Sequence, residues 1–440
     1  MLVLVVLVVL LLVPFPPGSE DNSDAGSETA GSSDSGKAAN GEGTNPSASR
    51  REVAWTIPAA TSEPEANTLA TYVVADTFVR ATEAALIGYA LDSGKESWRI
   101  EPPEGFSRVC SVSPTMTDDS IGVVYGSADD ECGLVAAIDL AVGEQLWRTK
   151  AEPGESLTPG AAVAVTEGRI VGPYPNGLGL FGYSIIGKEV LWDHDLADES
   201  CAVGDIAADE NAVFYVVECV LAGTNQLVSL DPASGDVNWQ SPIENLDPIS
   251  PAEIVSVSPS VVHVGESRHQ GELQVFDESG SLSRTIDAAD GGDELEFGPD
   301  ITNTSTSNHR EFPIHIHNDT IIALVWPGLP APGQKPRDQK VVSVDLNTGE
   351  RTWTMDLPEG TWLLAPAPGE ANPTLVRYPK SAKPRTYTVD PSGKLEAGPT
   401  LERPKGGYLS DYVRFVPSDE YLFRVRINDL AYGPAVVAFR

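Results

Sequence analysis

The chain has 440 residues and a formal net charge of −35. That charge argues against nucleic acid as a partner and against broad contact with anionic lipid, because like charges repel. It favours solubility and suits basic partners or cations.

Residues 2–13 (LVLVVLVVLLLV) are an unbroken apolar run followed by PFPPG. Such a run is short for a membrane span and suits the core of an export signal. No basic residue precedes it, no Ala-x-Ala site follows it, and no Cys stands just after it for lipid attachment. A start assigned too far downstream accounts for the bare flank. Residues 1–17 are read as a signal peptide or a truncated membrane anchor, with the anchor favoured. Residues 18–50 are rich in Gly, Ser, Asp and Glu and almost free of large apolar side chains. They cannot bury enough surface to fold and read as a disordered, flexible tether. Its six acidic residues stand against Lys37 and Arg50, so most of the negative charge belongs to residues 51–440.

From residue 51 onward the chain repeats one phrase: an apolar strand, an Asp, a Gly, then a Trp four positions after that Gly. It reads YALDSGKESW (89–98), AIDLAVGEQLW (137–147), SLDPASGDVNW (229–239) and SVDLNTGERTW (343–353). The tryptophans are Trp98, Trp147, Trp239 and Trp353. A weaker copy pairs Gly187 with Trp192. Two worn copies, FDESGSLSR (276–284) and VDPSGKLEA (389–397), put Arg284 and Ala397 in the Trp slot. The Asp can bond the backbone of the turn, the Gly can adopt φ > 0, and together they predict a tight hairpin. A Trp on every outgoing strand is more apolar surface than one small sheet can cover. It needs the neighbouring repeat, which is the logic of radial stacking.

The slots fall at 98, 147, 192, 239, 284, 353 and 397, a period of forty-odd residues with one longer insertion between 284 and 353. The chain ends on the strand-like PAVVAFR (434–440), without an outgoing strand of its own. REVAWTIP (51–58) supplies one, and its Trp55 lies 43 residues before Trp98. The expectation is an all-β, eight-bladed propeller of four-stranded antiparallel blades, closed by 51–58 joining the C-terminal blade. The count falls to seven if a worn repeat forms no blade. Trp55, Trp98, Trp147, Trp192, Trp239 and Trp353 are then docking residues between blades.

The phrase strand-Asp-x-x-Thr-Gly-x-x-x-Trp, best matched by VDLNTGERTW (344–353), resembles the tryptophan-docking repeat of the PQQ-like β-propellers. That family includes quinoprotein alcohol dehydrogenases and the outer-membrane-assembly lipoprotein propeller. The resemblance covers about 51–440 and implies a fold more firmly than a function. The enzymes of the family use a vicinal Cys-Cys disulfide, a Trp floor and Ca²⁺ held by Glu, Asn and Asp. No adjacent cysteines and no CxxCH occur here, and the cofactor residues cannot be carried onto any stretch of this chain. The resemblance therefore implies no cofactor, no catalytic residue and no metal ligand in this protein.

Four cysteines form two close pairs, Cys110 with Cys132 and Cys201 with Cys219. Three pairings are open. The local one fits the repeat, with both pairs ahead of the Asp-Gly turn of their blade and equivalently placed in blades two and four. Disulfides imply an oxidising compartment.

Other candidates are weaker. The segment 286–300 holds Asp287, Asp290, Asp293, Glu294 and Glu296, but not in an EF-hand spacing. His315 and His317 alternate on a strand and share a face, with His309 and Asp319 near in sequence. Two ligands make a weak metal site. The Pro-rich stretch 326–340 carries Lys335, Arg337 and Lys340, and with 285–311 forms a candidate partner surface.

The reading that results is a non-catalytic, extracytoplasmic binding or scaffolding module of the cell envelope. It is expected to be a monomer with an envelope protein as partner, touching the membrane through its N-terminal segment alone. The alternatives are a PQQ- or metal-dependent oxidoreductase of quinoprotein type, and the ectodomain of a membrane sensor.

Overall fold

A computed structural model describes residues 50–440 apart from 60–66, 128–131, 151–161, 174–178, 197–200, 220, 245–251, 268–269, 288–293, 296–313, 327–338, 367–369, 380–381, 404–412 and 428–432. The signal or anchor reading and all of the tether except Arg50 lie outside the described residues.

Every described element is a strand, and the strands form eight antiparallel sheets. Blade 1 is built from Thr68–Val74, Thr77–Thr82, Leu86–Ala90 and Glu96–Ile100. Blades 2 to 7 follow the same plan, with first strands at Arg108–Val112, Ala164–Thr166, Ala202–Ala208, Ala252–Ser256, Ile314–His317 and Thr361–Ala365. Blade 8 takes three strands from the C-terminus, Val413–Pro417, Leu422–Arg426 and Val436–Phe439. Its outer strand is Val53–Ile57, paired antiparallel with Val436–Phe439. This is the expected closure, and it leaves no open edge between first and last repeat. Arg50, at the end of the expected tether, is in a strand: Arg50–Arg51 pairs in parallel with Thr400 and Leu401 of blade 7. The first strands of successive blades lie against one another, as in blades 3, 4 and 5, and so ring the centre.

Middle strands are mostly apolar, such as the fully buried Ser120–Gly126, because neighbouring blades cover both their faces. Outer strands alternate, as in Arg351–Asp356, because one face meets solvent. The docking tryptophans bridge the blades. A Cβ on the turn glycine of the next blade would lie 2.6 Å from Trp55 at Gly94, 2.6 Å from Trp192 at Gly235, 2.5 Å from Trp239 at Gly280 and 2.8 Å from Trp353 at Gly393. At Gly143 it would overlap the Trp98 ring. Indole N–H groups donate to backbone carbonyls of those turns: Trp55 to Leu91 (2.7 Å), Trp147 to Ile185 (2.9 Å), Trp192 to Pro232 (3.0 Å) and Trp353 to Pro391 (3.0 Å). Burying one such side chain contributes roughly 4–6 kcal/mol of transfer free energy.

Inside each blade the residue opposite the Trp is small. Gly88, Ala137, Gly182, Ser229, Ser343 and Ala438 face Trp98, Trp147, Trp192, Trp239, Trp353 and Trp55. Blade 7 inverts the pair: Tyr387 stands opposite Ala397, and its ring packs 5.0 Å from that of the buried Trp362. The large side chain has moved one strand inward, so the worn repeat still forms a full blade.

Two sequence expectations are corrected. In blade 3 the left-handed turn position belongs to Lys188 (φ 58°), not to Gly187. The true spacing to Trp192 is therefore four, as elsewhere. The two cysteine pairs are not equivalently placed, as their positions in the sheets make plain.

Candidate functional site

Antiparallel strands send alternate connections to opposite rims. One rim carries the first-to-second and third-to-fourth connections, and most of these are tight turns. Side-chain caps hold several of them. Asp139 accepts from the Ala141 amide at 2.9 Å, Asp231 from Ala233 at 2.8 Å and Asp345 from Asn347 at 2.9 Å. Backbone donors at Ser234 hold the Asp231 carboxyl below its ordinary value, and the hydroxyls of Ser279 and Ser392 do so for Asp277 and Asp390.

The opposite rim joins second to third strands and each blade to the next, and it takes the long connections. The segments 285–311 and 326–340 both span strand ends on this rim. Within them Asp287, Leu295 and Lys340 belong to described strands. Asp290, Asp293, Glu296, His309, Lys335 and Arg337 lie outside the described residues.

Both disulfides staple strand ends of the long-connection rim. Cys110 of Arg108–Val112 joins Cys132, the first residue of the third strand Cys132–Asp139, with Cα atoms 6.2 Å apart. The bridge spans the second strand above Gly126, where a Cβ would come within 2.5 Å of Cys110 Sγ. Cys201, just ahead of Ala202–Ala208, joins Cys219 at the end of Val213–Cys219, with Cα atoms 4.1 Å apart. One staple therefore skips a strand and the other joins neighbours. The sequence signal that could have separated them is Gly126, the residue with no side chain beneath the first bridge.

The inner strands hold the ionisable groups that the sequence pattern missed. The Asp205 side chain is 2% exposed, and its Oδ2 accepts from the Ile254 amide at 2.7 Å, tying blade 4 to blade 5. Glu218 lies over Gly204, where a Cβ would be 2.5 Å from Oε1. Burial raises the Glu218 carboxyl, and burial followed by the Glu218 charge pushes Glu253 up to about 7. His315 and His317 share a face as expected, with parallel rings 6.5 Å apart. His315 is 2% exposed, and burial depresses its basicity. Arg424 and Arg426 are buried in blade 8 and donate to the carbonyls of Pro434 (3.4 Å) and Gly433 (3.3 Å). Burial lifts the nearby Tyr378 phenol to about 12. A cleft of about 170 Å³ opens between blades 5 and 6, lined by Thr285, Asp287, Leu295, Val344 and Arg351.

Among the described residues no trio of His, Cys, Asp or Glu converges as a metal site would require. Among the described residues both disulfides join strands, and burial raises the Glu253 carboxyl beside Glu218.

The family model described as outer membrane protein assembly factor BamB matches residues 47–206 and 131–324, more than half of the chain. The chain belongs to this family. No curated protein matches it in sequence. Among solved structures, BamB from Moraxella catarrhalis is 15% identical over 87% of this chain and 99% of its own, with a TM-score of 0.48. The quinohemoprotein alcohol dehydrogenase ADHIIG from Pseudomonas putida HK5 is 11% identical over 88% of this chain and 76% of its own, at 0.51. The C-terminal WD40 domain of Sif2 is 9% identical over 88% and 98%, at 0.50. At these identities the likeness to the last two speaks for the propeller fold alone. The family match agrees with the PQQ-like repeat read from the sequence.

Proposed function

We propose that the protein is a non-catalytic binding or scaffolding module of the cell envelope, working outside the cytoplasm. One observation carries the reading: the two rims are unequal, and both disulfides hold the rim from which the long connections leave. Long connections on a rigid scaffold are where binding residues concentrate. Disulfides that staple such a rim suit an oxidising compartment. On this reading 285–311 and 326–340 form the partner surface, residues 1–17 anchor or export the chain, and 18–50 tether the propeller. Membership of the BamB family supports the reading without identifying the partner. In-cell crosslinking of the tagged full chain, followed by mass spectrometry, tests it. Reproducible crosslinks from Lys335 or Lys340 to specific envelope proteins are expected. Capture of nothing above background would overturn it.

A further inference from the structure

The repeat acts as its own control for which surface residues the fold needs. At the position before the left-handed turn residue, blades 1, 4, 5, 6 and 7 carry Ser93, Ser234, Ser279, Thr348 and Ser392. Blade 2 carries Val142, which is 61% exposed. One position earlier, blades 1, 2, 4 and 6 carry Asp92, Ala141, Ala233 and Asn347, and blade 3 carries Ile186, which is 85% exposed. A hydroxyl in this turn has a structural use, as in the bonds from Ser234 to Asp231 and from Thr348 to Asp345. Val142 gives that hydroxyl up, and Ile186 stands where blades 1, 2, 4 and 6 carry Asp, Ala or Asn; both leave apolar surface in water.

They are not isolated. Met116, Val142, Ile186, Val190, Leu191 and Val237 are six of the seven exposed large apolar side chains among the described residues. All six belong to blades 2, 3 and 4, and all sit in, or at the strand start after, connections of the short-turn rim. Docking fixes these turns beside one another: Trp98 seats on Gly143, Trp147 bonds Ile185 and Trp192 seats on Gly235. The seventh, Leu221, is on the other rim. A cluster of this kind on an otherwise polar face marks an interaction site. Around it stand the exposed Asp118, Asp119, Glu144, Glu189 and Asp236, against Lys188 and Arg169.

We propose that the short-turn rim of blades 2–4 docks a basic, apolar segment of a partner protein, with Val142 and Ile186 at the centre of the contact. Charge selects the occupant. An anionic lipid surface would be repelled, and a second copy would bring its own acidic ring against this one. A segment with apolar side chains bracketed by Lys and Arg meets both features: an apolar centre and an oppositely charged surround. The proposal rests on the binding-module reading but uses the rim opposite Lys335 and Lys340, so the two can fail separately.

The test is selection of a random peptide library displayed on phage against the full chain, followed by affinity measurement of the winners at low and high salt. The key variant, V142S/I186N, installs residues that other blades already use at these slots and should fold. L221S on the opposite rim is the control. Selected peptides are expected to combine Lys or Arg with large apolar residues and to bind more weakly as salt rises. They should lose about tenfold or more in affinity on V142S/I186N and none on L221S. Acidic winners, no winners, or equal binding to V142S/I186N would overturn the proposal. So would sedimentation showing a dimer of the wild-type chain that V142S/I186N abolishes, since the occupant would then be a second copy. Crosslinks through Lys335 or Lys340 should survive V142S/I186N, and their loss would belong to the binding-module reading instead.

Discussion

Arg284 donates from Nη2 to the carbonyl oxygen of Asn347 at 3.0 Å, across the seam between blades 5 and 6. Its stem lies 3.2 Å from where a Cβ on Gly349 would sit. Arg284 thus reproduces both halves of a Trp dock, its stem packing on the turn glycine and its guanidinium donating to the turn backbone. The residue opposite it is Val275, where the Trp-bearing blades place Gly, Ala or Ser.

That difference predicts the effect of restoring the consensus. R284W forces an indole against Val275 and should lower the thermal midpoint, at a cost of about 1–3 kcal/mol. V275A/R284W should recover most of the loss. Thermal melts of the three proteins decide it. If R284W alone were as stable as wild type, the small opposite residue would not be a requirement of docking.

Gly143 has φ +70° and a Trp98 ring where its Cβ would go. Gly105 has φ +89° and open space. G105A should cost about 1–2 kcal/mol from backbone strain alone. G143A adds overpacking and should cost roughly 2–5 kcal/mol. Equal losses in urea melts would show that the ring yields freely.

Removing each staple tests its weight. C110S/C132S and C201S/C219S break closures of 22 and 18 residues. Each is expected to destabilise by about 3 kcal/mol. Melting the wild-type chain under reducing conditions should reproduce the loss of both together. An unchanged midpoint under full reduction, checked by thiol titration, would contradict this.

Glu253 makes stability depend on pH. Its folded value of about 7 lies above the ordinary 4.5, so the folded state holds a proton that the unfolded chain has released between those values. Stability therefore falls as pH rises from about 4.5 to 7 and levels off above. The loss is on the order of 3 kcal/mol. E253Q cannot ionise and should be more stable than wild type at pH 8, with little difference at pH 4. Parallel pH profiles of the two proteins would rule the contribution out.

Much of the fold was legible because each blade writes its turn locally. Asp caps, a left-handed glycine and a Trp four residues later are short-range constraints, so Trp55 could be assigned to the last blade before any contact was known. Lys188 escaped notice because Gly187 beside it imitates the expected residue, and only the backbone distinguishes them. Asp205, Glu218 and Glu253 escaped because no spacing marks them; Asp205 reaches the Ile254 amide, and Glu218 acts on Glu253, only where blades 4 and 5 adjoin.

The sequence by itself determined the class and the closure by residues 51–58, narrowed the blade count to eight or seven and marked the tryptophans for docking, since periodic local chemistry has few ways to pack. The tertiary structure alone decided which strands each disulfide joins, that Tyr387 fills the space left by Ala397, and that Val142 and Ile186 emerge on one rim. Those outcomes depend on sheet register and blade-to-blade contact, where residues distant in the chain compete for the same volume or the same solvent.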